Sequence, residues 1–264
     1  MLKDITIGQY IPGNSPIHRL DPRAKIITLI LYMTALFMCN SALGYAEVTV
    51  FTLLIVLLSG VPVIMLLRGL KPLWIILVIT FSLHVFMTPG EIIWQWSFFT
   101  VTYQGLRQAL FMVLRLIYLV TITSLLTLTT TPIALTDGIE RLLKAIFVPV
   151  AHELAMMMTI ALRFIPTLIE ETEKIMKAQM ARGADFETGS MLARAKSLIP
   201  LLVPLFLSSF RRADELAMAM EARCYRGGEN RTRMKQLVMG SLDVLAFAGS
   251  VIFLGITLIT RYWV

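Results

Sequence analysis

The sequence predicts an all-α, polytopic membrane protein with about five spanning helices and a cytoplasmic module of long amphipathic helices. Three observations predict it. Of 264 residues, 57% are hydrophobic and only 16% charged, with a mean hydropathy of +0.75, which is too apolar for a soluble domain of this size. Apolar runs fall at about 26–42, 45–67, 72–88, 108–130 and 237–260, against the roughly 20 residues that a bilayer crossing needs. Finally, 15 of the 24 Lys and Arg residues lie between Thr131 and Lys235. The chain thus divides into a lead-in (1–25), four spans (26–130), a basic module (131–235) and a last span (236–264).

The lead-in carries turn signals at Pro12-Gly13-Asn14-Ser15-Pro16 and no signal-peptide pattern. Asp21 followed by Pro22 suits an N-cap and first helical residue, because the carboxylate accepts orphan N–H groups and proline has none to offer. The corner Asn40-Ser41-Ala42-Leu43-Gly44 makes the first two spans an antiparallel hairpin, and Arg68 and Lys71 fall between the second and third spans.

Positive charge sets the topology. The lead-in holds Lys3, Arg19, Arg23 and Lys25, the second connection Arg68 and Lys71, and the long basic module 15 cations. The opposite side has none in the 39–46 corner, none from Thr88 to Gln104, and only Arg261 after the last span. The N-terminus and the basic module are therefore expected in the cytoplasm. The outer loop carries Trp94, Trp96, Phe98, Phe99 and Tyr103, which suits an interfacial aromatic belt. The net charge of +7 is read as topology and lipid contact, not as nucleic-acid binding.

Two segments of the basic module are apolar without reading as spans. Ala145–Ile169 contains His152, Glu153 and Arg163, and Leu198–Phe210 is too short and holds two prolines. Both read as apolar halves of helices at the membrane surface, with charged halves projecting into the cytoplasm. The first passes from Met156-Met157-Met158 through Pro166 and Glu170-Glu171-Thr172-Glu173-Lys174 to Ala181-Arg182-Gly183. The second passes from Pro200 and Pro204 through Arg211-Arg212-Ala213-Asp214-Glu215 to Ala222-Arg223-Cys224. The two arginines are 41 residues apart, a weak internal repeat.

Catalytic patterns fail. No Gly-Lys dipeptide exists, so there is no phosphate loop of the P-loop kind. His152-Glu153 begins like a zinc-protease helix, but Met156 stands where the second histidine is required. Cys39 and Cys224 are far apart and read as small buried or interfacial residues, not as a disulfide. His18, His84 and His152 are scattered and read as satisfied structural residues. A self-contained channel or secondary transporter would need ionisable groups within its spans; Glu47, His84, Arg115 and Asp243 are the candidates, and Arg115 alone is deep, where helix packing is its ordinary role. A membrane-bound enzyme would need a clustered polar site, which the motifs do not supply.

The sharper signal is the arginine that recurs between alanine and a small residue. Small neighbours let a partner approach the backbone, and a guanidinium can then make bidentate bonds to carboxylate or carbonyl groups in a groove. Nine of the 16 methionines also fall in this module: Met156, Met157, Met158, Met176, Met180, Met191, Met218, Met220 and Met234. Methionine either fills core gaps or lets one surface accept exchangeable apolar partners.

The lead-in Ser15-Pro16-Ile17-His18-Arg19-Leu20-Asp21-Pro22-Arg23-Ala24-Lys25, the tips Ala181-Arg182-Gly183 and Ala222-Arg223-Cys224, and the order of spans and amphipathic helices resemble a family. It is the transmembrane T component of energy-coupling factor (ECF) transporters, the vitamin and metal-ion importers of prokaryotes. The resemblance covers most of the chain, and Cys224 departs from its Ala-Arg-Gly pattern. It implies a non-catalytic, multi-pass subunit of a prokaryotic cell membrane, with no cofactor of its own. It further implies that Arg182 and Arg223 dock on two ABC-type ATPase subunits that bind the ATP. The faces bearing Met156, Met157, Met158, Pro166, Pro200 and Pro204 would then hold the S component that selects the substrate.

Overall fold

The computed structural model describes residues 10–96, 99–184, 186, 190–227 and 237–263. Lys3, Phe98, Met234 and Lys235, named above, lie outside them. Two units emerge, one of residues 10–138 with 237–263 and one of residues 139–227.

In the first unit, a short helix α1 (Pro16–Arg19) leads to α2 (Pro22–Met38), which begins as expected. The Asp21 carboxylate accepts the Arg23 amide at 2.9 Å and the Arg23 guanidinium at 3.0 and 2.8 Å. The Asp243 carboxylate takes the Asp21 N–H at 2.7 Å and the Gly240 N–H at 2.7 Å, so one side chain caps the starts of α2 and of α10 (Ser241–Trp263). Asp243 is therefore a buried cap. At the other end of α2, Ser41 caps α3 (Ala42–Ser59) by accepting the Gly44 N–H. The corner between these helices is accordingly 39–41, slightly earlier than the sequence suggests.

The second apolar run does not continue to residue 67. Gly60 stands at φ +63°, in the left-handed region that closes a helix, and Pro62 follows it. The chain then forms α4 (Val63–Leu70), a 3₁₀ turn (Lys71–Leu73) and α5 (Trp74–Met87), one helical stretch from Val63 to Met87. Arg68 and Lys71 sit within this stretch, not in a loop between spans. The break is a backbone event inside an unbroken apolar run, so hydropathy cannot place it.

The aromatic outer segment forms a two-stranded antiparallel hairpin, β1 (Ile92–Trp96) and β2 (Phe99–Thr102), with Trp94 opposite Val101. Helix α6 (Tyr103–Thr129) follows and packs along α5. Gly105 makes this approach possible: a Cβ there would stand 2.9 Å from the His84 carbonyl oxygen and 3.0 Å from that of Val85.

The core of this unit lies among α2, α3, α6 and α10, around Tyr32, Ala35, Leu36, Val48, Ile122 and Phe253. Lipid is as apolar as leucine, so packing and interhelical polar bonds must supply specificity. Phe253 stacks on Phe51 at 4.1 Å and on Tyr32 at 5.8 Å between ring centroids. Thr52 donates to the Val48 carbonyl, which leaves the Tyr32 hydroxyl to donate to Thr52 Oγ1 at 2.6 Å. Lys25 ties α2 to the end of α6 by donating to Thr129 O and Thr130 Oγ1. Arg115 takes the packing role expected of it: it donates to the orphan Cys39 carbonyl at 2.9 Å and lies over the Phe37 ring.

Helix α7 (Pro132–Ala145) leads along the chain into the second unit, which contains α8 (Ala151–Ala181) and α9 (Met191–Ala222). Both continue through their prolines, Pro166 in α8 and Pro200 and Pro204 in α9. Among the described residues, five helical stretches are long and apolar enough to cross a membrane: Ala42–Ser59, Val63–Met87, Tyr103–Thr129, Ala151–Ala181 and Ser241–Trp263. The chain is an all-α, multi-pass membrane protein. The five do not coincide with the runs read from the sequence, because α2 has 17 residues and α8, with 31, meets the same criteria.

Candidate functional site

The expected middle patches of α8 and α9 meet. Arg212 Nη2 donates to Glu171 Oε2 at 2.7 Å, and the Ser208 hydroxyl donates to the other carboxylate oxygen of Glu171. The Ser208 hydrogen bond, reinforced by the Arg212 charge, holds the Glu171 carboxyl below its ordinary range. Further along α8, Gln179 Nε2 approaches the Pro200 carbonyl at 3.5 Å. This acceptor is free for a physical reason: an α-helical carbonyl is bonded by the N–H four residues on, and that residue is Pro204, which has none. Moving forward along α8 thus moves backward along α9, and the helices cross antiparallel.

The crossing relates equivalent positions. Glu171 and Arg212 are 41 residues apart, the same offset that separates Arg182 from Arg223. Each arginine therefore stands 11 residues beyond its own crossing residue, about 16 Å along the axis at 1.5 Å per residue. An antiparallel crossing sends these arms in opposite directions.

The tips share one backbone design. In α8 the Gly183 N–H bonds to Met180 O and the Ala184 N–H to Gln179 O, both at 3.0 Å. In α9 the Cys224 N–H bonds to Glu221 O at 2.8 Å and the Tyr225 N–H to Met220 O at 3.1 Å. Both are Schellman closures in which the arginine is the C-cap and the following residue takes the left-handed conformation. Gly183 has φ +87° and Cys224 φ +53°. The small residue after each arginine thus has a backbone reason independent of any partner: Gly183 adopts that conformation freely, whereas Cys224 carries a Cβ penalty of about 1 kcal/mol. Ala181, Arg182, Gly183, Ala222, Arg223 and Cys224 are all exposed. Of the two alternatives read for the cysteines, Cys39 is buried and Cys224 is exposed in the chain alone.

The predicted apolar residues lie before the crossing on both helices. Met157 is 61% and Met158 42% exposed, Met156 is half-buried, Pro166 and Pro200 are exposed and Pro204 is half-buried. On α9, Ile199, Leu202, Val203, Phe206 and Phe210 are exposed at the spacing of one helical stripe. Sequence reading missed the pairing of Glu171 with Arg212 and Ser208. The 41-residue offset, applied to every charged residue and not to the arginine tips alone, was the signal that could have found it.

Comparison with known proteins gives the chain its family. The family described as cobalt transport protein (CbiQ) matches residues 13–234. The chain is 64% identical over 249 residues to the energy-coupling factor transporter transmembrane protein EcfT of Thermosediminibacter oceani, covering 93% of this chain and 94% of that protein. It is 57% identical over 268 residues to EcfT of Clostridium kluyveri, covering 100% and 99%. Against EcfT of Bacillus subtilis the identity is 51% over 265 residues, covering 99% and 100%. With full-length identity at this level, and with two helices that carry like-capped arginine tips, the chain belongs to the family of energy-coupling factor transporter transmembrane proteins, the T components of ECF transporters.

Proposed function

We propose that this chain is the non-catalytic coupling subunit through which two ABC-type ATPases drive a substrate-capturing S component for import of vitamins or other micronutrients. The observation that supports this best is the pair of identically closed arginine tips, set at equal distances from the Glu171–Arg212 crossing. Arg182 and Arg223 are the handles. Each guanidinium enters a groove on one ATPase and makes bidentate bonds there, and the sharp Schellman turn behind it keeps following chain clear of the partner.

ATP is held by the partner subunits. Their closure moves the two tips, and antiparallel helices joined at their crossing convert that motion into a change of angle between the arms. The apolar halves, with Met156, Met157, Met158, Pro166, Pro200 and Pro204, hold the S component, so the change of angle alters its contacts and its orientation. Only such differential contacts can transmit the work of ATP binding. The positive-charge bias supports an N-terminus and coupling helices on the cytoplasmic side of a prokaryotic cell membrane.

The test is purification of the chain from native membranes, with and without Arg182→Glu and Arg223→Glu together. The native chain should bring down two ATPase copies and an S component, whereas the double variant should lose the ATPases and uptake. Full ATPase binding and uptake by the double variant would sink the reading. Transport by the purified chain alone in vesicles would favour a self-contained transporter.

A further inference from the structure

The two tips share a backbone but differ in what holds them. Tyr225 closes the second Schellman turn through its amide, and its hydroxyl lies 3.2 Å from His152 Nε2. His152, buried at the start of α8, has its other ring nitrogen, Nδ1, 3.0 Å from Glu140 Oε1 on α7. Glu140 is itself buried and also receives Lys144 Nζ at 3.0 Å. A neutral imidazole satisfies every member of this chain: Nδ1–H donates to the carboxylate, and Nε2 accepts from the Tyr225 hydroxyl. The carboxylate sets the tautomer. At the first tip the position matching Tyr225 is Ala184, whose methyl group can form no such bond.

We infer that Tyr225 is a positioning residue for Arg223, anchored through His152 and Glu140, so that the second tip is set in advance by a tie that Ala184 cannot give the first. This rests on the reading of the tips as ATPase handles. The element so anchored is the last turn of α9, and the anchor comprises the end of α7 and the start of α8. A displacement imposed on Arg223 is therefore delivered to α7 and α8 as well as along α9. A displacement imposed on Arg182 travels along α8 to its crossing with α9, with no matching tie through position 184. One chain thereby presents two mechanically unequal handles, which suits two ATPases that differ.

The experiment uses the complete complex in lipid nanodiscs and compares native chain with Tyr225→Phe, which keeps the ring, and His152→Gln. Amide exchange over residues 223–226 should be slower in the native chain than over 182–184. Tyr225→Phe should raise the second-tip rate by about fivefold, the effect of losing one net hydrogen bond, without changing the first. ATPases should stay bound in Tyr225→Phe, while substrate moved per ATP hydrolysed falls severalfold. A merely structural role would lower yield and melting temperature and leave that ratio unchanged. Unchanged exchange at the second tip, or an unchanged ratio in both variants, overturns the inference. Failure of the native chain to retain ATPases would instead sink the handle reading, and exchange measured on the chain alone would still decide whether Tyr225 is anchored.

Discussion

Glu171 and Arg212 form a 2.7 Å ion pair between residues 41 apart, the same interval that separates the two arginine tips. In an antiparallel crossing, contact between equivalent positions makes the two arms equal, so in the proposed coupling role this ion pair is the fulcrum of a symmetric lever. Its value in stability is modest, below about 1 kcal/mol, because both side chains are partly exposed.

Charge reversal at the fulcrum should act on coupling more than on stability. Glu171→Arg or Arg212→Glu alone should lower transport per ATP, and the exchanged pair Glu171→Arg with Arg212→Glu should restore most of it. A paired uptake and hydrolysis assay checks this, and no recovery in the exchanged pair would count against the fulcrum.

The same pair predicts a pH dependence. Because Ser208 and Arg212 hold the folded Glu171 carboxyl below its ordinary value, its contribution is complete above the unfolded carboxyl pKa, about 4.3. It is then lost as pH falls through the lower folded value. Melting curves of the second unit's reporters at decreasing pH should show this loss, and Glu171→Gln should remove it.

The tip closures predict opposite effects for removing and for adding a Cβ at like positions. Cys224→Gly removes a Cβ from a left-handed position and should tighten the second tip by about 1 kcal/mol, whereas Gly183→Ala should loosen the first by a similar amount. Hydrogen exchange at the tips reads both. Cys224 should also react with a maleimide while buried Cys39 does not, and bound ATPases should protect it.

Asp243 predicts a loss at a distance in sequence. Asp243→Ala leaves the amides of Asp21 and Gly240 without their acceptor, at a cost of about 1–3 kcal/mol for a buried donor. Thermal unfolding in detergent should show it, and Asp243→Asn, which keeps one acceptor oxygen, should lose less.

Gly105 predicts a packing failure. Gly105→Leu would drive a side chain into the carbonyls of His84 and Val85, and separation of α5 from α6 should cost about 1–3 kcal/mol. The same melting assay checks this.

Residue chemistry alone carried much of the molecule. Asp21-Pro22 starts a helix because a carboxylate and an imino residue suit a first turn wherever they occur, and apolar runs become helices because lipid leaves backbone groups no other partners. The arginine tips were legible because they recur with their neighbours. The break at Gly60 was invisible to hydropathy, since the dihedral choice of one glycine leaves the hydropathy of a run unchanged, and Gly60 with Pro62 was its trace in the sequence. Two pairings were not legible, Asp243 with Asp21 and His152 with Glu140 and Tyr225, while that of Glu171 with Arg212 left only the 41-residue offset as its trace. A charge pattern states which partners a residue accepts, but only the crossing of α8 and α9, and the return of α10 to the start of α2, brings particular partners within 3 Å or so of each other. The handles belong to local sequence; the fulcrum and the anchor belong to tertiary structure, because hydrogen bonds and ion pairs act at distances that chain order does not set.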